Sequence, residues 1–269
     1  MDYRKELAKC NRIVVKIGTS MVTHPNGKIN LERMEHLARV LADIRNRGID
    51  VILVSSGAVG VGAGILGFEQ KPTDIRMKQA SAAAGQASMM QIYKRFFAEY
   101  NQNVAQILLT KEDIKSKNRR VNLENTFNTV LELGMIPIVN NNDAITIDEI
   151  EFSDNDNLSA VVAKLVGADL LVLLTDIDGL YDKHPKEYKN AVRLPIVTKI
   201  DGTVRAMAGD KGSAFSVGGM QTKITAAEMC VCTGTSMVIA LGENPRVLYR
   251  ILEGEDIGTL FPGVKNEDN

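Results

Sequence analysis

Apolar runs of strand length, separated by stretches with helical spacing, constrain this chain more than any other feature. The runs are "RIVVKIG" (12–18), "DVILV" (50–54), "VAQILL" (104–109), "MIPIV" (135–139), "DLLVLL" (169–174) and "SMVIAL" (236–241). After the first run, Leu31, Met34, Leu37, Ala38, Leu41 and Ile44 share one helical face, and Gly48 supplies a stop. Further helices are expected from about 74 to 99, 119 to 133 and 157 to 166, with another opened by "GGMQTKITAAEMCVCTG" and ending at Gly234. Strands alternating with helices imply βαβ crossovers, hence an α/β chain with a mainly parallel open sheet covered on both faces, a three-layer αβα sandwich. Between Asn140 and Phe152 the pattern becomes alternating, "AITIDEIEF", which suits a β-hairpin near 140–153. "GLYDKHPKEYKNA" reads as a polar loop and "GTLF" as a short last strand. With no repeat and no long linker, the 269 residues read as one fold with two lobes.

Composition narrows the function classes. A formal net charge of -1, with Lys and Arg spread along the chain, leaves no basic footprint for nucleic acid. The opening "MDYRKELAKC" has no signal-peptide core, and no run is long enough for a membrane span, so a cytoplasmic protein is expected. Cys10, Cys230 and Cys232 lack metal spacing and are read as buried thiols. His24, His36 and His184 show no ligand spacing either, and the methionines read as core filler.

In an open α/β sheet, ligands bind beyond the carboxyl ends of the strands, so the residues after each apolar run matter most. They are "KIGTS" (16–20), "SSGAVGVGAGILG" (55–67), "NNNDA" (140–144) and "TDIDGLY" (175–181). The glycines at 57, 60, 62, 64 and 67 allow close backbone approach and leave N–H groups for an anion at a helix start. Those at 62, 64 and 67 mimic the spacing of a dinucleotide fingerprint, although Lys71 to Gln79 fits poorly as its continuation; a P-loop is absent.

Lys16, inside an apolar strand, needs an anionic partner if it is buried. Lys223 stands near a helix start, where its charge opposes the helix dipole unless an anion sits there too. Two such lysines beside glycine loops point to phosphate chemistry. An ammonium about 4 Å from a phosphoryl oxygen is worth roughly 4 kcal/mol at an effective dielectric of about 20. In "EFSDNDNLSAVVAKLVGAD" (151–169), four consecutive acceptors, Asp154 to Asn157, precede a helix; one helix cap needs only one of them.

Taken together, "VVKIGTS", "VSSGAVGVG", "QILLT", "PIVNNNDA", "DNDNLSA", "LLTDIDGLYDKHP", "AMAGD", "GGMQTKITAA" and "GTLFPG" span nearly the whole chain in order. This set resembles the amino acid kinase family, and within it the branch that phosphorylates the γ-carboxylate of L-glutamate on the route to proline. The resemblance implies a single kinase domain over 1–269, with an amino-acid-binding lobe (about 1–165) and a nucleotide-binding lobe (about 166–269). No C-terminal PUA module is expected, because the chain ends soon after Phe261.

The resemblance further implies that Lys16 and Lys223 stabilise the transferred phosphoryl group and that Asp156 holds both ammonium groups. Ser56, Gly57, Asp143 and Asn155 would bind glutamate, and Asp154 would support them or orient the metal. Thr175, Asp176 and the segment Val217, Gly218, Gly219, Met220, Gln221, Thr222 and Lys223 would line the ATP site, with Mg²⁺ carried by the nucleotide. A homodimer or homotetramer, inhibited by proline, is implied as well.

Four positions depart from the family pattern: Ser216-Val217 where a Gly-Thr pair is frequent, Asn141 where Glu is frequent, and Ser153 where Gly is common. The alternatives are a related kinase for another acidic substrate (N-acetylglutamate, aspartate, carbamate or a nucleoside monophosphate), a nicotinamide-dependent oxidoreductase, and a non-catalytic amino-acid sensor. "NNNDA" with "DNDNLSA" disfavours the first, the second rests on three glycines alone, and retention of Lys16, Lys223 and Asp156 argues against the third.

Overall fold

A computed structural model describes residues 2–24, 26–68, 70–145, 155–185, 187–209 and 219–263. The apolar runs form strands β1 (Arg12–Ile17), β2 (Asp50–Ser55), β3 (Val104–Leu109), β4 (Ile136–Asn141), β5 (Leu170–Thr175), β6 (Ser236–Leu241) and β7 (Thr259–Phe261). Between them lie helices α1 (Tyr3–Glu6), α2 (Thr19–Val22), α3 (Leu31–Asn46), α4 (Ala58–Ile65), α5 (Ile75–Ala98), α6 (Lys111–Lys115) and α7 (Lys117–Glu132). The later helices are α8 (Asn155–Leu165), α9 (Gly202–Met207), α10 (Met220–Val231) and α11 (Val247–Leu252). The described strands form one seven-stranded sheet in the order β3-β4-β2-β1-β5-β6-β7, mainly parallel, with helices on both sides. The three-layer α/β architecture expected from the alternation is therefore present. Most of the expected hairpin near 140–153 lies outside the described residues; β4 itself ends at Asn141.

The chain divides into two compact units, Ile17–Asn155, and Met1–Lys16 with Asp156–Asn269. In the first, β2, β4 and β3 run parallel, with Leu53 opposite Ile138 and Val104 opposite Ile136. Asn30 caps α3 by accepting from Arg33 N at 3.1 Å, and Asp74 caps α5 by accepting from Met77 N at 3.1 Å. Met34, Leu37, Ala38, Leu41 and Ile44 are buried as their spacing requires. Leu31, expected on the same face, is exposed because it is the first residue of the helix and projects past the packed turns.

Glycines set how closely α4 and α5 pack. A Cβ built on Gly62 would stand 1.8 Å from Ser81 O, and one on Gly85 would stand 1.9 Å from Ala58 O, so no larger residue fits at either crossing. Gly60, Gly62 and Gly64 thus lie inside α4, with Gly62 packed on α5, and Gly57 stands at the uncapped start of that helix. The glycines at 62, 64 and 67 do not open a helix after the strand as a dinucleotide fingerprint would, and the dinucleotide reading falls with them.

In the other unit, β5 and β6 are parallel, Leu170 opposite Ser236, while β7 returns antiparallel, Met237 opposite Phe261. Arg4 is buried and ties the chain's start to its later loops: its Nη2 reaches Asp256 Oδ1 at 3.0 Å and Pro195 O at 2.7 Å. Cys10 and Cys230 are buried as expected, and burial pushes the Cys230 thiol up to about 12. Cys232 is exposed instead, since it lies one residue beyond α10 at the C-cap.

Candidate active site

Lys16 stands near the carboxyl end of β1, Asp156 in the first turn of α8 and Lys223 in the first turn of α10. All three side chains are buried. Asp156 Oδ1 lies 2.5 Å from Lys16 Nζ and Oδ2 lies 2.9 Å from Lys223 Nζ, so each carboxylate oxygen holds a different ammonium. Thr222 Oγ1 donates to Oδ2 at 3.1 Å, and Lys223 Nζ also donates to Gly219 O at 3.1 Å. Burial alone would raise the Asp156 carboxyl, but the charges of Lys16 and Lys223 outweigh it and hold the group below its ordinary value. A buried lysine's requirement for an anion is thereby met, and the two lysines and Asp156 together carry two positive charges against one negative. Such a surplus suits a dense anion such as a polyphosphate. The start of α10 adds backbone N–H groups, with no side chain capping them from Gly219.

A second cluster lies in the Ile17–Asn155 unit and is made of amides and hydroxyls. Asn155 Nδ2 donates to Ser56 Oγ at 2.7 Å and to Asn140 Oδ1 at 3.0 Å, with a longer approach of 3.3 Å to Ser55 O. Asn140 Nδ2 donates to Gln86 Oε1 at 3.0 Å, and Asn140 Oδ1 also accepts from Asn141 N at 2.8 Å. Asn141 Nδ2 donates to Asp143 Oδ1 at 2.7 Å. Burial pushes the Asp143 carboxyl up, and the bond from Asn141 offsets only part of that rise. With no cation among its described partners, Asp143 is a place where a ligand's ammonium gains from an ion pair. Behind the cluster, fully buried Tyr93 shares a 2.8 Å hydrogen bond with Ser55 Oγ. Gly57 precedes α4 with φ +111°, a conformation that favours glycine.

These placements bring together Lys16, Asp156, Thr222 and Lys223 in one cluster, and Ser56, Asn155 and the Asn141–Asp143 pair in the other. Thr175 Oγ1 donates to Asp176 Oδ1 at 3.0 Å at the carboxyl end of β5. Gly219, Met220 and Gln221 form the start of α10. Asp154, Ser153, Ser216, Val217 and Gly218 lie outside the described residues. The polar run before α8 is not a row of caps, because Asn155 and Asp156 are inside the helix and their side chains serve the two clusters. Gln86 and Tyr93 escaped the sequence reading, while Ser55 and Asn140 were singled out only as parts of their strand-end segments, without a role. For Gln86 a signal existed: it is an amide on the helical stripe of Met89, Tyr93 and Phe97, all buried.

Comparison with known proteins follows the same lines. The model of the amino acid kinase family matches residues 11–240. A glutamate 5-kinase of Clostridium acetobutylicum is 52% identical over 257 residues, covering 96% of this chain and 96% of its own. A glutamate 5-kinase of Clostridium perfringens strain 13 is 52% identical over 268 residues, covering 98% of this chain and 100% of its own. Among solved structures, a UMP kinase from Bacillus anthracis superposes with a TM-score of 0.65 at 18% identity, covering 95% of this chain and 97% of that one, which is a likeness of fold.

Proposed function

This chain belongs to the amino acid kinase family, and we propose that it transfers the γ-phosphoryl group of ATP to the γ-carboxylate of L-glutamate, the first step of proline biosynthesis. A γ-carboxylate oxygen attacks the γ-phosphorus, the bond to the β-phosphate's bridging oxygen breaks, and L-glutamyl 5-phosphate and ADP leave. No general base is needed, because the γ-carboxylate is already ionised at neutral pH and needs only alignment and relief of charge. The observation that carries this reading is the pair of ammonium groups held by opposite oxygens of Asp156.

In this reading Lys16 and Lys223 bear on the transferred phosphoryl oxygens, and Asp156 keeps both amines in place. Thr175, Asp176 and the stretch from Val217 to Lys223 hold the nucleotide. Ser56, Gly57, Asp143 and Asn155 bind glutamate, with Asp154 beside them. The lobes near 1–165 and 166–269 divide the amino acid from the nucleotide. Among the described residues no group of three or more His, Cys, Asp or Glu side chains is arranged to hold a metal ion. In this reading Mg²⁺ comes with the nucleotide, whose phosphates would hold it and whose charge it would neutralise. No helix among the described residues is long and apolar enough to cross a membrane; a cytoplasmic location belongs to the same reading.

The direct test is a substrate panel: the protein with Mg-ATP and L-glutamate should release ADP and, with hydroxylamine present, yield γ-glutamyl hydroxamate. Turnover of another acid with none on glutamate rejects the proposal. Inhibition by proline and a dimeric or tetrameric state belong to the same reading. A rate that stays flat up to millimolar proline, or a monomeric mass by light scattering, removes each in turn.

A further inference from the structure

We infer that Gln86 is a positioning residue: it fixes the polarity of the Asn140–Asn155 amide relay so that Asn155 turns its carbonyl oxygen, and not its amino group, toward the ligand. The inference rests on the glutamate reading for its ligand, but the relay itself rests on hydrogen-bond donors that have only one possible direction.

The oxygen and nitrogen of a side-chain amide are alike in shape, so their assignment has to come from partners. Asn141 N is a backbone donor and lies 2.8 Å from Asn140 Oδ1, so that atom of Asn140 must be the oxygen. The other arm of Asn140 is then the amino group, and its partner 3.0 Å away on Gln86 must be an oxygen. The same Asn140 oxygen faces Asn155 at 3.0 Å, which requires the amino group of Asn155 there. A second backbone group agrees, since Ser55 O, an obligate acceptor, approaches the same nitrogen at 3.3 Å. A single backbone N–H thus orients three amides in series. Asn155 Oδ1 remains, and among the described residues no group donates to it.

Gln86 matters because it is the terminal acceptor. Asn140 and Gln86 are both buried, so an Asn140 amino group without Gln86 Oε1 would be left unsatisfied. Its cheapest relief is for Asn140 to rotate, which weakens the hold on Asn155 and blurs the end that Asn155 presents. An outward carbonyl selects a ligand donor, the ammonium of an amino acid, and it acts on the same charge as the Asp143 carboxylate. Gln86 touches no ligand in this scheme and works only through Asn140 and Asn155.

The test compares Gln86→Met, which keeps the shape and removes the acceptor, with Gln86→Glu, which keeps an acceptor oxygen. With Mg-ATP, Gln86→Met should raise the glutamate KM about tenfold, with kcat within about twofold and the ATP KM unchanged, a loss of uniform binding. Gln86→Glu should stay within about threefold of wild type, the mark of an acceptor role rather than a packing one. A lowered melting temperature with an unchanged glutamate KM in Gln86→Met overturns the inference. So does a tenfold loss in Gln86→Glu, which carries the test by itself if Gln86→Met does not fold. A readout independent of substrate is the pair of side-chain ¹⁵N–H₂ resonances of Asn155, identified by their disappearance in Asn155→Asp. They should move in Gln86→Met and return in Gln86→Glu, and resonances that stay put overturn the relay. If wild-type protein does not turn over glutamate, the functional reading fails while these resonances still decide the role of Gln86.

Discussion

Lys16 Nζ and Asp156 Oδ1 lie 2.5 Å apart, joining the end of β1 to the first turn of α8 through a buried ion pair. The second oxygen of the same carboxylate is occupied by Lys223, so neither lysine can reorient without disturbing the other. Removing one member of such a cluster leaves uncompensated buried charge. Asp156→Asn should therefore destabilise the fold by about 3–5 kcal/mol in a urea melt. It should also lower kcat by roughly 10²- to 10³-fold in an ADP-release assay, the effect of misplacing one ammonium worth about 4 kcal/mol.

The stability difference between wild type and Asp156→Asn has a defined pH dependence. The Asp156 carboxyl is held below its ordinary value of 3.8, so its contribution is fully present above that value and is lost as pH falls through the lower, folded-state value. Urea melts of the two proteins should differ by a constant amount at neutral pH and converge only below the ordinary value. Convergence already near neutrality would contradict the ion-pair account.

Asp143 has the opposite sign. Burial raises its carboxyl, so ionisation of this group opposes folding above its ordinary value. Asp143→Asn should consequently melt at a higher temperature at pH ~7, while its glutamate KM rises because the ammonium loses its counter-charge. In wild type the glutamate KM should climb on acidification sooner than an ordinary carboxylate predicts, and in Asp143→Asn that climb should vanish. Calorimetry paired with KM measurements from neutral to mildly acidic pH checks both.

Asn155 and Asp156 are neighbours in sequence with different partners, so their substitutions should separate. Asn155→Ala, which removes the amide held by Ser56 and Asn140, should chiefly raise the glutamate KM. Asp156→Ala should chiefly lower kcat. Equal effects on both constants in both variants would contradict the division of roles.

The glycine run offers a test of packing. Gly62→Ala and Gly85→Ala each drive a methyl group into a carbonyl oxygen of the facing helix, so α4 and α5 must move apart. Each should cost about 2–3 kcal/mol or more, lowering the melting temperature by roughly 5–10 °C. Gly18→Ala, whose Cβ would meet nothing within 4 Å, should melt like wild type. Added nicotinamide dinucleotide should not raise the melting temperature of any of these proteins.

The sequence by itself determined the α/β class, nearly every strand and the long helices, because apolar runs and helical periodicity are local signals of what must be buried. It also marked Lys16 as needing an anion, since burial of an ammonium in an apolar strand carries that requirement with it. Only the tertiary structure decided which carboxylate answers Lys16 and Lys223, for Asp156 is 140 and 67 positions away from them in the numbering. It likewise decided that the glycines after β2 form a helix crossing, because spacing along the chain is the same for a loop around an anion and for a helix pressed against another. The relay through Gln86, Asn140 and Asn155 was out of reach for the same reason. An amide's direction depends on the donors and acceptors that folding brings to it from three separate segments, and in the linear chain those partners are not neighbours.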